Sequence, residues 1–251
     1  MQARLDRQFV KDSNREHIYP DFDFSEGEVL LIDKPLEWTS FDVVSKIRNS
    51  LKPLKVKVGH AGTLDPLATG LLIVCTGKRT KTIDALQAQE KEYTGTFTLG
   101  ATTPSYDLET DPDQHFDTSN LQEADLLNAT KNFIGELDQY PPAHSAVKVQ
   151  GERLYEKARR GEIVELKTRK VTIFEFELTR INLPEVDFRV VCSKGTYIRS
   201  LAHDFGKIVN NGAYLSKLRR TKSGAFHVSN AYDVLDLSAH IRSLRELPRD
   251  Q

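Results

Sequence analysis

Short apolar runs alternate along the chain with stretches whose apolar residues recur at helical spacing. Five apolar or alternating segments predict strands: residues 29–32, 71–74, 93–99, 171–178 and 186–192. Three segments predict helices: 39–51, capped by Thr39 or Ser40; 120–135, capped by Asn120 and ending at Gly135; and 198–209. Strands interleaved with helices indicate a mixed α/β or α+β fold.

The same pattern predicts one main domain with short additions at both ends. Residues 1–24 form an N-terminal arm, 25–230 the domain, and 231–251 a short helical tail. The longest apolar run, residues 71–75, is far shorter than the roughly 20 residues of a membrane helix. The opening residues show no apolar stretch typical of a signal peptide, and two cysteines indicate a reducing compartment. We therefore expect a cytoplasmic protein with no membrane association.

Charge changes this picture because it is strongly segregated. The 251 residues have a net charge of −1, which by itself argues against a nucleic-acid partner. Residues 46–81, however, contain eight basic residues and one acidic residue (+7), and 189–222 have the same balance. Residues 144–170 have a net charge of +4, and 107–139 a net charge of −8. Each block alone suits a solvated surface, but two +7 blocks favour a polyanion such as RNA.

Several kinds of site are excluded by spacing. Residues 70–78 end in Gly-Lys, but six residues separate the glycines where a phosphate loop has four, and Arg79 stands where it needs Ser or Thr. There is no dinucleotide fingerprint, no nucleophile elbow and no Cys-x-x-Cys. The seven histidines are scattered, so no metal site is expected.

Two segments remain as candidates for chemistry. Asp65 lies among glycines and small residues in Gly59–Gly70, within an otherwise cationic block, so its carboxylate should stay ionised and could act as nucleophile, base or ligand. A turn aspartate bonded to its own backbone explains the local sequence at least as well. Residues 192–201 lead from a strand into a helix, where Arg199 could pair with a carboxylate or lie on the surface. Tyr93 heads an alternating strand and suits either core packing or stacking on a base.

Together these segments resemble the TruB family of bacterial tRNA pseudouridine synthases. The resemblance covers about residues 27–225. The matching pieces are 29–35, Gly59–Gly70, Lys91-Glu92-Tyr93, Leu99-Gly100 with Asp107, Ser145-Ala146-Val147-Lys148, Cys192–Arg199 and Leu218-Arg219-Arg220.

The resemblance implies a pseudouridine-synthase fold, with a largely antiparallel central sheet flanked by helices and insertions. It also implies isomerisation of the uridine at position 55, in the T loop of tRNA. Asp65 matches the nucleophile, Tyr93 the tyrosine that stacks on the flipped base, and Arg199 the arginine that pairs with the catalytic carboxylate. Five residues match the binding pocket: His60 at the RNA, Tyr197 and Asp107 as polar lining, Leu218 as an apolar wall and Lys34 near the cleft. For Lys34 a solvated surface charge remains an equal alternative.

An isomerisation involves no net redox change, so no cofactor or metal is expected. The T arm of tRNA is the expected partner; no protein partner is required and a monomer is expected. The sequence departs from many family members in the loop 101–107 and in its short end, where a PUA-type RNA-binding domain looks absent.

Three alternatives remain open. The first is a relative in the RNA-guided branch, which carries the appended domain. The second is a non-catalytic RNA chaperone, for which Asp65 would be dispensable. The third is a glycosidase, which would need a second acid paired with Asp65.

Overall fold

A computed structural model describes residues 19–142, 148–149, 152–153 and 167–246. Residues 1–18 of the predicted arm, residues 145–147 of the family resemblance and most of the segment 144–170 lie outside this description. The helices are α1 Ser40–Ser50, α2 Ile83–Gln87, α3 Glu123–Thr130, α4 Ile198–Ile208 and α5 Val234–Glu246. The strands are β1 Val29–Lys34, β2 Val58–His60, β3 Ala68–Thr76, β4 Lys91–Leu99, β5 Ala101–Thr102, β6 Gln114–His115, β7 Gly135–Gln139, β8 Lys148–Val149, β9 Glu152–Arg153, β10 Arg169–Asn182, β11 Glu185–Cys192, β12 Ala213–Ser223, β13 Phe226–His227 and β14 Tyr232–Asp233. No helix in the described part is long and apolar enough to cross a membrane.

The chain forms two compact units. The first comprises residues 1–87 and 220–251, and the second residues 88–219, so that β12 passes from the second unit into the first after Arg219. The division leaves Asp65 in the first unit, and Tyr93 and Arg199 in the second.

In the first unit, β3 is the central strand. The whole length of β1 pairs antiparallel with residues 70–75 of β3, β2 pairs with β3 near its end, and β14 lies parallel to β1. Both faces of β3 are buried, as expected for a continuous apolar run. Helix α1 begins with a capping box between Thr39 and Asp42, and the Ser50 and Ser238 hydroxyls, 2.7 Å apart, join α1 to α5. The predicted tail therefore contributes both a strand and a helix to this unit.

In the second unit, β4, β11, β10 and β7 are neighbours in that order, and every pairing is antiparallel. The inward alternation of β4 places Phe97 against Phe188 of β11, with ring centroids 4.2 Å apart. Phe205 of α4 and Phe176 of β10 complete an aromatic core with Phe97. The predicted strands and the largely antiparallel pairing are thus confirmed within each unit.

Three element boundaries differ from prediction. The helix predicted to end at Gly135 ends at Thr130, because a single 3-10 turn over Lys131–Phe133 follows it and Gly135 already begins β7. Helix α3 begins after Gln122, so a cap at Asn120 is wrong: Asp117 accepts a hydrogen bond from the Ser119 amide and holds residues 117–119 in a turn. The predicted loop Gly59–Gly70 is shorter, because β2 extends to His60 and β3 begins at Ala68.

Candidate active site

Asp65 lies in the loop between β2 and β3, residues 61–67, called the Asp65 loop below. The residue before it, Leu64, is buried, and both of its backbone polar groups bond to one side chain. The Ser40 hydroxyl accepts from the Leu64 amide (2.9 Å) and donates to the Leu64 carbonyl (3.1 Å). Since Ser40 begins α1, the start of this helix is tied directly to the chain next to Asp65.

Lys34, at the end of β1, bonds to the other side of the loop. Its ammonium donates to the carbonyl of Pro66 (3.3 Å) and to two further carbonyls, those of Pro35 (2.9 Å) and Trp38 (2.5 Å). The side chain is fully buried, so the alternative of a solvated surface charge is wrong. Three backbone carbonyls thus replace the water that a lysine ammonium normally binds.

Arg220 is a second buried cation beside this loop. Its Nε donates to the Leu71 carbonyl (2.7 Å) and its Nη2 to the Gly62 carbonyl (3.1 Å). Gly70 approaches the backbone of Arg220 so closely that a Cβ there would lie 2.3 Å from the Arg220 carbonyl oxygen. Its φ of +99° also favours glycine, so this position within β3 needs glycine both for its backbone conformation and for the close contact.

The charges around the Asp65 loop shift two nearby groups. Burial lowers the pKa of the Lys34 ammonium to about 8, and the negative charge of Asp65 partly offsets this. Burial, followed by the positive charge of Arg220, lowers the pKa of the His60 imidazole. His60 is therefore neutral at neutral pH, and its ring can exchange hydrogen bonds with an RNA without bringing a further charge.

In the second unit, Arg199 and Asp107 form a buried pair. The Arg199 Nε lies 3.5 Å from Asp107 Oδ2, and both side chains are less than a tenth exposed. The Asp107 carbonyl accepts from the hydroxyls of Thr103 (2.7 Å) and Ser105 (3.2 Å), so its position is fixed by its own loop. The structure thus places beside Arg199 the polar residue predicted for the pocket, and Arg199 gains a carboxylate partner within its own unit.

Tyr197 caps the start of α4, two residues before Arg199. Gln139 fixes its backbone, because the Gln139 side chain accepts from the Tyr197 amide (2.7 Å) and donates to its carbonyl (3.0 Å). The Arg169 guanidinium lies 5.1 Å from the centroid of the Tyr197 ring. The predicted positions of Tyr197 and Arg199 at a helix start are confirmed.

Tyr93 and Leu218 lie on strands of the second unit. Tyr93 is on β4, opposite Val190 of β11, and is 8% exposed. Leu218 is half-buried on β12. Both therefore lie within strands of the second unit, and their roles at the site stay predictions.

The structure thus collects the predicted residues into two sets. Lys34, His60 and Asp65 lie in the first unit, and the other five lie in the second. Sequence reasoning missed Ser40, Arg220 and Gln139 as structural supports. The sequence indicates Ser40 only as a possible helix cap, and Arg220 only as part of a piece that matches the family.

Comparison with known proteins identifies the family. The model of the TruB family pseudouridylate synthases (N terminal domain) matches residues 48–198, more than half of the chain. The chain belongs to the TruB family. Its members are pseudouridylate synthases, so the protein is an isomerase of this class.

Curated relatives agree with the family assignment. The chain is 61% identical over 217 residues to the tRNA pseudouridine synthase B of Flavobacterium johnsoniae. The matched region covers 84% of this chain and 95% of the relative. It is 53% identical over 215 residues to the enzyme of the same name from Phocaeicola vulgatus, and the matched region covers 84% of this chain and 92% of the relative.

Two solved structures share the fold. A Cbf5-Nop10-Gar1 complex is 31% identical with a TM-score of 0.68, covering 95% of this chain and 64% of that one. A chain of an H/ACA RNP bound to a substrate RNA containing 2'-deoxyuridine is 29% identical with a TM-score of 0.65, and the match covers 94% of this chain and 63% of that one. The chain spans less than two thirds of the length of these solved chains. The mixed α/β fold of the TruB family expected from the sequence is confirmed.

Proposed function

We propose that the chain isomerises uridine to pseudouridine at position 55, in the T loop of tRNA, with Asp65 as nucleophile. The single observation that carries this proposal is the fixed position of Asp65: Leu64 before it and Pro66 after it are both bonded to buried side chains. A nucleophile needs such a rigid setting, because catalysis depends on holding the reacting atoms in a productive geometry. The similarity to relatives named tRNA pseudouridine synthase B, over more than nine tenths of their length, supports tRNA as the substrate.

The reaction requires a base outside its stack. Extruding a uridine costs a few kcal/mol, and phosphate contacts from exposed cations together with stacking on Tyr93 can supply that energy. Asp65 attacks the target nucleotide and forms a bond to it, and the N1–C1′ glycosidic bond breaks. The uracil turns and bonds through C5 to C1′, and the bond to Asp65 breaks and frees the carboxylate. The proton on C5 leaves with help from Tyr93 and N1 gains a proton, so the product is an isomer and no electrons are exchanged.

Arg199 has a supporting role in this scheme. A buried guanidinium favours the ionised form of a neighbouring carboxylate and fixes its orientation. Its ion pair with Asp107 holds the guanidinium within the second unit. We infer that Arg199 has the role that the family resemblance implies for it, with Asp107 keeping the arginine in place. Tyr197, Leu218 and His60 are proposed to contact the substrate RNA, and the buried Lys34 holds the Asp65 loop.

The test is tritium release from tRNA labelled at uridine C5. The unmodified enzyme should release tritium, and Asp65→Asn should lower the rate by about 10³-fold or more while still binding tRNA. Asp84→Asn, an exposed aspartate of the same unit, is the matched control and should release tritium at the unmodified rate. Release by Asp65→Asn at that rate would overturn the nucleophile.

Substrate and product analysis separates the alternatives. A tRNA with cytidine at the target position should give no product. Nucleosides from digested tRNA should contain pseudouridine; free uracil with an abasic site would instead indicate a glycosidase. Binding and refolding of tRNA without release, unaffected by Asp65→Asn, would indicate a chaperone.

A further inference from the structure

We propose that Ser40 and Arg220 are positioning residues that fix the Asp65 loop in its reactive conformation. This inference rests on the proposed function, since it assigns a catalytic consequence to contacts around Asp65. Neither side chain is argued to touch the substrate. Each acts through the backbone of the loop.

Ser40 acts on the residue next to Asp65. Its hydroxyl is the hydrogen-bond acceptor for the amide of Leu64 and the donor to the carbonyl of the same residue. Ser40 is 2% exposed and Leu64 3%, so water cannot readily replace the hydroxyl. Removing it would leave two buried backbone groups without this partner, and the loop would move to satisfy them.

Arg220 acts on the two flanks of the loop. Gly62 precedes Asp65 by three residues and Leu71 follows it by six, and one guanidinium donates to both carbonyls. The side chain is 2% exposed, so its plane is fixed by packing as well as by these bonds. A lysine would keep the charge but could not reproduce the planar, forked donor geometry that links two carbonyls.

Displacement of the loop should affect the chemical step more than RNA binding. A misplacement of about 1 Å can cost a reaction about 10²-fold in rate, whereas phosphate contacts on the surface do not depend on the loop. The expected signature is a large loss of rate with an unchanged dissociation constant for tRNA.

The chain offers a matched control for Ser40. Ser50 lies on the same helix, is also fully buried, and its hydroxyl is 2.7 Å from that of Ser238 in α5. Ser40→Ala and Ser50→Ala each remove one buried, hydrogen-bonded hydroxyl from α1. A purely structural role predicts similar effects on melting temperature and on rate for both variants.

The experiment compares single-turnover tritium release at saturating enzyme, well below the melting temperature of every variant. Ser40→Ala should react about 10-fold to 100-fold more slowly than unmodified enzyme, with a tRNA dissociation constant within about twofold. Ser50→Ala should keep its rate within about twofold. Arg220→Lys should lose rate as Ser40→Ala does, whereas Arg242→Lys, an exposed arginine of α5, should not.

Amide hydrogen exchange gives a readout that needs no activity. The Leu64 amide should exchange faster in Ser40→Ala and remain protected in Ser50→Ala. Equal rates of turnover for Ser40→Ala and Ser50→Ala, or an unmodified rate for Arg220→Lys, would overturn the inference. If the unmodified enzyme releases no tritium, the proposed function fails, and unchanged exchange at Leu64 in Ser40→Ala would then overturn the loop contact as well.

Discussion

Lys34 allows the electrostatics of the Asp65 loop to be tested through stability. Its folded pKa is about 8, against 10.5 for an unperturbed lysine, because burial disfavours the ammonium form. Between these two values the unfolded chain binds a proton that the folded chain has released, so stability rises with pH in this window. The difference between these two pKa values corresponds to about 3 kcal/mol of stability. Below about pH 8 both states are protonated and the contribution is constant.

The assay is urea unfolding at intervals from about pH 7 to about pH 10.5, with Lys34→Met beside the unmodified protein. Other groups titrate in both proteins and cancel in the difference. The free energy of unfolding of the unmodified protein should rise by about 3 kcal/mol relative to Lys34→Met across this range. Lys78→Met, which changes an exposed lysine of the same unit, should follow the unmodified protein. Parallel curves for Lys34→Met and the unmodified protein would refute the burial argument.

Two further predictions concern backbone strain and surface charge. Glu37 has a φ of 66°, a backbone conformation that costs an L residue about 1 kcal/mol. Glu37→Gly should therefore raise the free energy of unfolding, measured in urea melts, by up to that amount. A lower free energy of unfolding in this variant would contradict the proposed strain. Lys52 and Lys55 are exposed, so neutralising both to Gln should weaken tRNA binding and reduce the slope of log affinity against log salt by about 1 to 2. Neutralising Lys78, which pairs with Glu26 at 2.8 Å, should change the slope less, and equal slopes would contradict a role for Lys52 and Lys55 in phosphate binding.

The strands and helices were predictable wherever one periodicity dominated. The alternation of β4 and the continuous apolar run of β3 each predicted a strand in the right place. The predicted start of helix α3 is wrong because Asn120 is a residue type that often caps helices, whereas the turn that decides the boundary depends on Asp117. Local sequence shows which residues can cap a helix, but competing turns decide which one does.

Candidate residues for the site could be named from the sequence, whereas the side chains that support them could not. The resemblance supplied Asp65, Tyr93 and Arg199, and the structure adds that Arg199 lies beside Asp107. Burial of Lys34 could not be inferred, because a lysine before a turn is usually solvated and only the folded chain shows three carbonyls around its ammonium. Ser40 was ambiguous for a similar reason: the hydroxyl next to a cap can bond locally, and its contact with Leu64 joins residues 24 positions apart.

The charge blocks show how far a count of residues can mislead. In the block 46–81 every basic residue is exposed or half-buried, so its +7 is a property of the surface. In the block 189–222, Arg199 and Arg220 are buried, and Arg189 is paired with Glu92 and Glu175. Some of the basic side chains in that second block therefore pair with carboxylates or hold the backbone of the Asp65 loop, and a phosphate cannot reach the buried ones. The first block is consequently the better candidate for the polyanion contact, and the two equal totals in the sequence stand for two different physical roles.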